Sequence, residues 1–194
     1  MLRIVLVDES PERSLSVRHA LQGLGHDIVA EVSDSRTLYN DVRRHDPDTI
    51  IVSADSLGQD TLEALCMIAA GCPRPIVMFT CDARRVSIRD VVRAGVSAYV
   101  VDGVDGFAAE RVAPIIEAAR ARFEALQLVR AELAQTKGKL SERKLIDRAK
   151  GILMKEKKLS EEEAYRLLRK LAMDRSAPMG TVAEQVITYA KLLG

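Results

Sequence analysis

The sequence predicts an α/β fold: five strand–helix units with one parallel sheet, then a long helix and a small helical bundle. Three observations predict it. Five short apolar runs recur through the first hundred residues, separated by stretches of helical periodicity. From Ala113 to Met154 no proline follows Pro114, and only Gly138 and Gly151 weaken a helix-forming sequence. Beyond that, capping signals and apolar spacing of three and four recur twice before the chain ends.

LRIVLVD (2–8) is continuously apolar up to its last residue, as in a strand covered on both faces. Ser10-Pro11 supplies an N-cap and a proline at the first helical position, and Gly25 closes that helix. DIVAEV (27–32) is the second strand, with a helix near 35–45. DTIIVS (48–53) is the third strand. Asp60-x-x-Glu63 has the spacing of a capping box for a helix running to about Ala70. PIVMFT (75–80) is the fourth strand, a helix near 84–94 follows, and Gly95 precedes the fifth strand, SAYVV (97–101). Such a sheet gathers its functional groups at the carboxyl ends of its strands. Those ends carry Asp8-Glu9, Ser53, Thr80 and Asp102. No glycine-rich phosphate loop follows the first strand, which argues against a Rossmann or P-loop nucleotide site.

The net charge of +1 hides an asymmetry. Residues 1–112 hold 12 Arg, no Lys and 17 acidic residues; residues 113–194 hold 17 cations against 11 acids, and all nine lysines lie at or after Lys137. The second part is therefore the one suited to a polyanion. Cys66, Cys72 and Cys81 show no CxxC spacing and are read as small apolar groups in a reducing compartment. No apolar run approaches the ~20 residues of a membrane span, and the N-terminus lacks the apolar core of an export signal, so a cytoplasmic protein is expected.

Residues 1–112 resemble the receiver domain of two-component response regulators, a flavodoxin-like (βα)5 fold. In that family an acidic pair after the first strand holds Mg²⁺, an aspartate after the third accepts a phosphoryl group, a hydroxyl after the fourth binds it, and a lysine after the fifth pairs with it. Asp8-Glu9 matches the acidic pair and Thr80 the hydroxyl; Tyr99 stands at the switch-aromatic position. Two positions depart. Counting from Pro47-Asp48, the acceptor position is Ser53, and the lysine position is Asp102. A serine hydroxyl without an adjacent base is a weak nucleophile and takes one carboxylate from the metal shell. Asp102 places negative charge where a cation is needed. The resemblance with these departures implies a pseudo-receiver that is not phosphorylated, with Asp55 as the alternative acceptor. Asp8 and Glu9 remain as a residual Mg²⁺ pair, and no bound cofactor is expected.

Ala119, Leu126, Leu133 and Leu140 recur every seven residues with Phe123 beside them, although Arg130 and Lys137 interrupt the seam. Residues 113–140 are read as a coiled-coil linker that makes a homodimer; the alternative is an amphipathic helix packed within the chain.

In 141–194, Leu145, Ile146, Ala149, Ile152 and Leu153 continue a helix. Ser160-x-x-Glu163 and Thr181-x-x-Glu184 are capping boxes for two more, separated by a loop over 174–180. The ordered segments Ala149–Met154, Leu159-Ser160, Glu163–Tyr165, Leu168-Arg169, Ala172-Met173 and Val182–Glu184 resemble the ANTAR domain, a three-helix RNA-binding module of bacterial transcription antiterminators. Receiver, coiled coil and ANTAR together resemble the nitrate-assimilation antitermination regulators. The resemblance implies binding to paired hairpins in a nascent leader RNA, and control by a nitrate-sensing regulatory protein. Arg148, Lys150, Gly151, Tyr165, Arg166, Arg169 and Lys170 are the expected RNA-binding residues: cations for phosphate, a tyrosine for an unpaired base, a glycine for close approach. The alternatives are a conventional phosphorylation-switched response regulator and a DNA-binding one. No nucleophile–base pair, metal cluster or cofactor loop in the sequence supports an enzyme.

Overall fold

The structure is a computed structural model that describes residues 1–8, 11–53, 58–80, 87–101 and 109–193, without the side chains of 11–14, 109 and 191–193. The chain divides into two compact units, Met1–Gln127 and Leu128–Gly194.

The first unit is the expected doubly wound sheet. Strands β1 (Arg3–Asp8), β2 (Asp27–Val32), β3 (Thr49–Ser53), β4 (Ile76–Thr80) and β5 (Ala98–Val101) alternate with helices α1 (Pro11–Gly23), α2 (Ser35–His45), α3 (Gln59–Gly71) and α4 (Ile88–Arg93). All pairs are parallel in the order β2-β1-β3-β4-β5. The order reverses beside β1, so the switch point lies between β1 and β3. Alternate residues of each strand feed opposite cores. Val5, Val7, Ile50, Val52 and Met78 pack with Leu38, Leu65, Ile68 and Val91, from α2, α3 and α4. Ile4, Leu6, Ile51, Val77 and Phe79 pack with Val17 and Leu21 of α1 and with Val112, Ile116 and Ala119 of the next helix.

That helix, α5, runs from Ala109 to Lys157, starting four residues before the sequence suggested. Its Ala119 is fully buried in the sheet-facing core, and half-buried Phe123 borders a groove with Asp46, Pro47 and Arg74. These two seam positions are used within the chain, because an alanine or phenylalanine every fourth residue suits a sheet as well as a partner helix. Leu126, Leu133 and Leu140 are exposed, and so is Val129, which lies between the first two at spacings of three and four.

One capping expectation in this unit is corrected. Helix α3 begins at Gln59 behind Gly58, with no side-chain cap, so Asp60 and Glu63 sit inside the helix. Gly95 takes φ +86°, and an added Cβ would lie 2.8 Å from the Ala69 Cβ; the turn from α4 into β5 needs glycine on both counts.

The second unit is a three-helix bundle of the end of α5 with α6 (Glu161–Asp174) and α7 (Met179–Leu193). Its core is Ala149, Leu153, Ala164, Leu168, Ala172, Val182, Ala183 and Ile187. The small alanines let the helices approach closely, and Leu168 is fully buried among them. Truncating it to alanine would cost about 2–5 kcal/mol. Ser160 caps α6 as the sequence predicts, accepting from the Glu163 amide while the Glu163 carboxylate accepts from the Ser160 amide at 2.8 Å. The second box is not a cap: α7 starts at Met179, two residues before Thr181.

Candidate nucleic-acid interface

The carboxyl ends of the strands converge as the sequence implies. Asp8 and Ser53 are register partners across β1 and β3, and Thr80 ends β4 beside Val101. All three are buried, and Ser53 is wholly so, its Oγ finding no hydrogen-bond partner among the described residues. Glu9, Asp55 and Asp102 lie outside the described residues. Tyr99 is half-buried against the α2–α3–α4 core. The described residues contain no group of three or more His, Cys, Asp or Glu able to hold a metal ion. At the register position opposite Asp8 stands the hydroxyl residue Ser53 rather than a carboxylate.

The bundle is tied together by two side chains of α5. Lys150 Nζ donates to Asp147 Oδ1 at 2.9 Å, three residues earlier, and to Glu161 Oε1 at 2.8 Å, at the start of α6. Its side chain is only 16% exposed. The hydrogen bond to Glu161, then that to Asp147, holds the ammonium above its ordinary range; the Lys150 hydrogen bond lowers Asp147 in turn. Glu142 makes the second tie, accepting from the Gly180 amide at 3.2 Å. It satisfies a helix N-terminal donor from 38 residues away. A Cβ on Gly180 would come within 2.9 Å of Glu142 Cγ, so glycine permits this approach. The sequence marked neither residue for this purpose, since each partner is distant along the chain.

The expected RNA-binding residues fall into two groups. Arg148 and Gly151 share one face of α5 with Lys144 and Lys155, two cations outside the expected set, at spacings of four, three and four; all four residues are exposed, and their cations make no ion pair among the described residues. Gly151 has nothing within 4 Å of the position a Cβ would take. On α6, Tyr165, Arg166, Arg169 and Lys170 are exposed; Arg166 pairs with Glu162 one turn back. Lys150 belongs with neither group, because its charge is already shared by two carboxylates.

Residues 134–187 match the ANTAR domain family. The transcriptional regulatory protein PdtaR of Mycobacterium tuberculosis is 29% identical over 185 residues, spanning 95% of this chain and 89% of that protein. The nitrate regulatory protein of Klebsiella oxytoca is 40% identical over 73 residues, 38% of this chain and 18% of that one. The signal receiver domain of a modulated diguanylate cyclase from Desulfovibrio desulfuricans superposes with a TM-score of 0.53 at 22% identity, covering 64% of this chain and 98% of that one, a likeness of fold. Among the described residues no helix is long and apolar enough to cross a membrane. The chain therefore carries an ANTAR domain at residues 134–187, behind a parallel sheet of receiver-like fold.

Proposed function

We propose that this chain is a cytoplasmic bacterial antitermination regulator that binds paired stem–loops in a nascent leader RNA and keeps a terminator hairpin from forming. One observation carries the reading: the bundle that matches the ANTAR family presents unpaired, exposed cations on α5 and α6. Arg148, Gly151, Tyr165, Arg166, Arg169 and Lys170 form the RNA face, with Lys150 behind it. The genes served are those of nitrate and nitrite assimilation, a reading supported by the 40% identity to a nitrate regulatory protein. Exposed Leu126, Val129, Leu133 and Leu140 give α5 the seam of a homodimer. Two copies present two RNA-binding units to two loops, so avidity adds to modest single-site affinity. Residues 1–112 form the regulatory domain, 113–140 the linker and 141–194 the RNA-binding domain.

The receiver-like domain answers to a nitrate-sensing partner protein rather than to phosphorylation. Support comes from Ser53, a buried hydroxyl standing opposite Asp8 at the acceptor position. Binding to a two-hairpin leader RNA, titrated with salt, tests the first reading. The expected result is tight binding that weakens steeply with salt, with much weaker binding to duplex DNA; equal affinity for the two would favour a DNA-binding regulator. Incubation with acetyl phosphate tests the second. No stable, acid-sensitive label is expected, and a label lost on Asp55→Asn would restore the phosphorylation-switched reading.

A further inference from the structure

A groove of about 340 Å³ lies within the bundle, where α5 meets α6 and the start of α7. Its lining combines four kinds of group. Ile146 and Met179 are half-buried, apolar, and packed against the bundle core. Tyr165 borders it and remains 42% exposed, too accessible for a tyrosine whose purpose is to complete the core. Lys139 and Arg143 are exposed at its edge; Lys139 makes no ion pair among the described residues, and Arg143 only a 4.0 Å approach to Asp147. Asp147 itself lines the groove, its carboxylate fixed by Lys150.

Of the two carboxylates in the lining, Glu142 is engaged by the Gly180 amide; an apolar floor, an exposed aromatic, exposed cations and the Asp147 carboxylate match the parts of a single unpaired nucleotide. The volume lies at the lower end of the range for small-ligand sites. A base stacks on an aromatic face whatever its sequence, and phosphate needs a cation. The carboxylate adds selectivity because it only accepts hydrogen bonds. Adenine, cytosine and guanine each carry an exocyclic amino group. Uracil has none, and its one ring N–H lies between two carbonyl oxygens that a carboxylate repels.

We infer that this groove is a nucleotide pocket: one unpaired loop base stacks on Tyr165 with its amino-bearing edge toward Asp147, its phosphate meets Arg143 and Lys139, and uracil is rejected. This rests on the RNA-binding reading above and adds to it a site and a base preference. The pocket is distinct from the Lys144–Arg148–Lys155 face of the same helix, which tracks backbone phosphates without reading bases.

The test measures affinity for a two-hairpin leader RNA while each unpaired non-uridine loop base is replaced by uridine in turn. At least one replacement is expected to cost about tenfold with the wild-type protein. Tyr165→Leu is expected to lose about tenfold on the original RNA, and Tyr165→Phe to stay within about twofold. Asp147→Asn also disturbs Lys150, so its decisive readout is the ratio of affinities: the uridine penalty is expected to vanish at the sensitive position. A general structural weakening would lower both affinities and leave the ratio unchanged, which overturns the pocket. So would wild-type binding that Tyr165→Leu does not weaken, or a uridine scan with no sensitive position; the RNA reading would survive those results. A wild-type protein that binds no hairpin RNA overturns both.

Discussion

Lys150 of α5 and Glu161 of α6 meet at 2.8 Å across the turn that joins the two helices, and Asp147 accepts a second N–H of the same ammonium at 2.9 Å. A cation placed this way orients α6 on α5. We expect Lys150→Ala to lower the melting temperature of the bundle and to weaken RNA binding, while the slope of log affinity against log salt stays as in the wild type. Lys150→Arg restores both. Arg148→Ala is the contrasting case: an exposed cation that meets a phosphate is expected to reduce the slope by roughly 0.7–0.9 with little change in melting. Equal slopes for the two alanine variants would remove Arg148 from the RNA face.

The same cluster sets a pH range for the bundle. Asp147 and Glu163 are held below their ordinary values of 3.8 and 4.5, Asp147 by the Lys150 hydrogen bond and Glu163 by the Ser160 amide and hydroxyl. A depressed acid contributes stability above its unfolded value and loses it as pH falls through the folded one. Lys150 is raised above 10.5, so its contribution is complete below that value and fades above it. Denaturant unfolding of the protein, followed by helical circular dichroism, is therefore expected to show constant bundle stability from about pH 5 to 10 and a decline on either side. The acid limb should shrink in Ser160→Ala, which also costs about 1 kcal/mol at neutral pH through the lost cap.

Gly151 poses a separate question, because nothing in the bundle requires it. It is exposed in the middle of a helix, and an added Cβ would meet open space. Alanine there should stabilise the helix by about 1 kcal/mol. Its neighbours along the face are Arg148 and Lys155, so a nucleic-acid backbone drawn to those cations passes over the glycine. Gly151→Ala is expected to unfold later and to bind the two-hairpin RNA more weakly. Unchanged binding would leave the glycine without a function in recognition.

What could be read from the chain divides along local and distant partners. The sheet strands, the Ser160 cap and the run of alanines and leucines in the bundle all follow from neighbours within a few residues, and the structure places them where the sequence does. The Thr181 box is not a cap because α7 already starts at Met179, and the Gly180 amide is satisfied by Glu142, which no local rule pairs with it. The tie from Lys150 to Glu161 is not legible in the sequence, because the partner lies across a turn whose geometry the sequence does not fix. At the strand ends, the sequence marks Ser53 as the last residue of the third strand, and β3 ends there, in register with Asp8 of β1.

The seven-residue repeat in α5 illustrates the same limit and yields the sharpest contrast between two substitutions. Ala119 and Leu133 are two heptads apart and equivalent by spacing, yet Ala119 is fully buried against the sheet while Leu133 is 52% exposed. A charge at Ala119 enters an apolar cluster with Val112 and Ile116, at a cost on the order of 3–5 kcal/mol, enough to threaten the fold of the first unit. A charge at Leu133 meets solvent in a single chain but would repel its counterpart across a helix pair. Sedimentation equilibrium should therefore report a monomer for Leu133→Asp with an unchanged circular dichroism spectrum, whereas Ala119→Asp should lose sheet signal and melt early. If Leu133→Asp keeps the mass of the wild type, the exposed stripe of Leu126, Val129, Leu133 and Leu140 does not form the dimer seam. Avidity then cannot rest on this helix, and the variant should bind the two-hairpin RNA as tightly as the wild type.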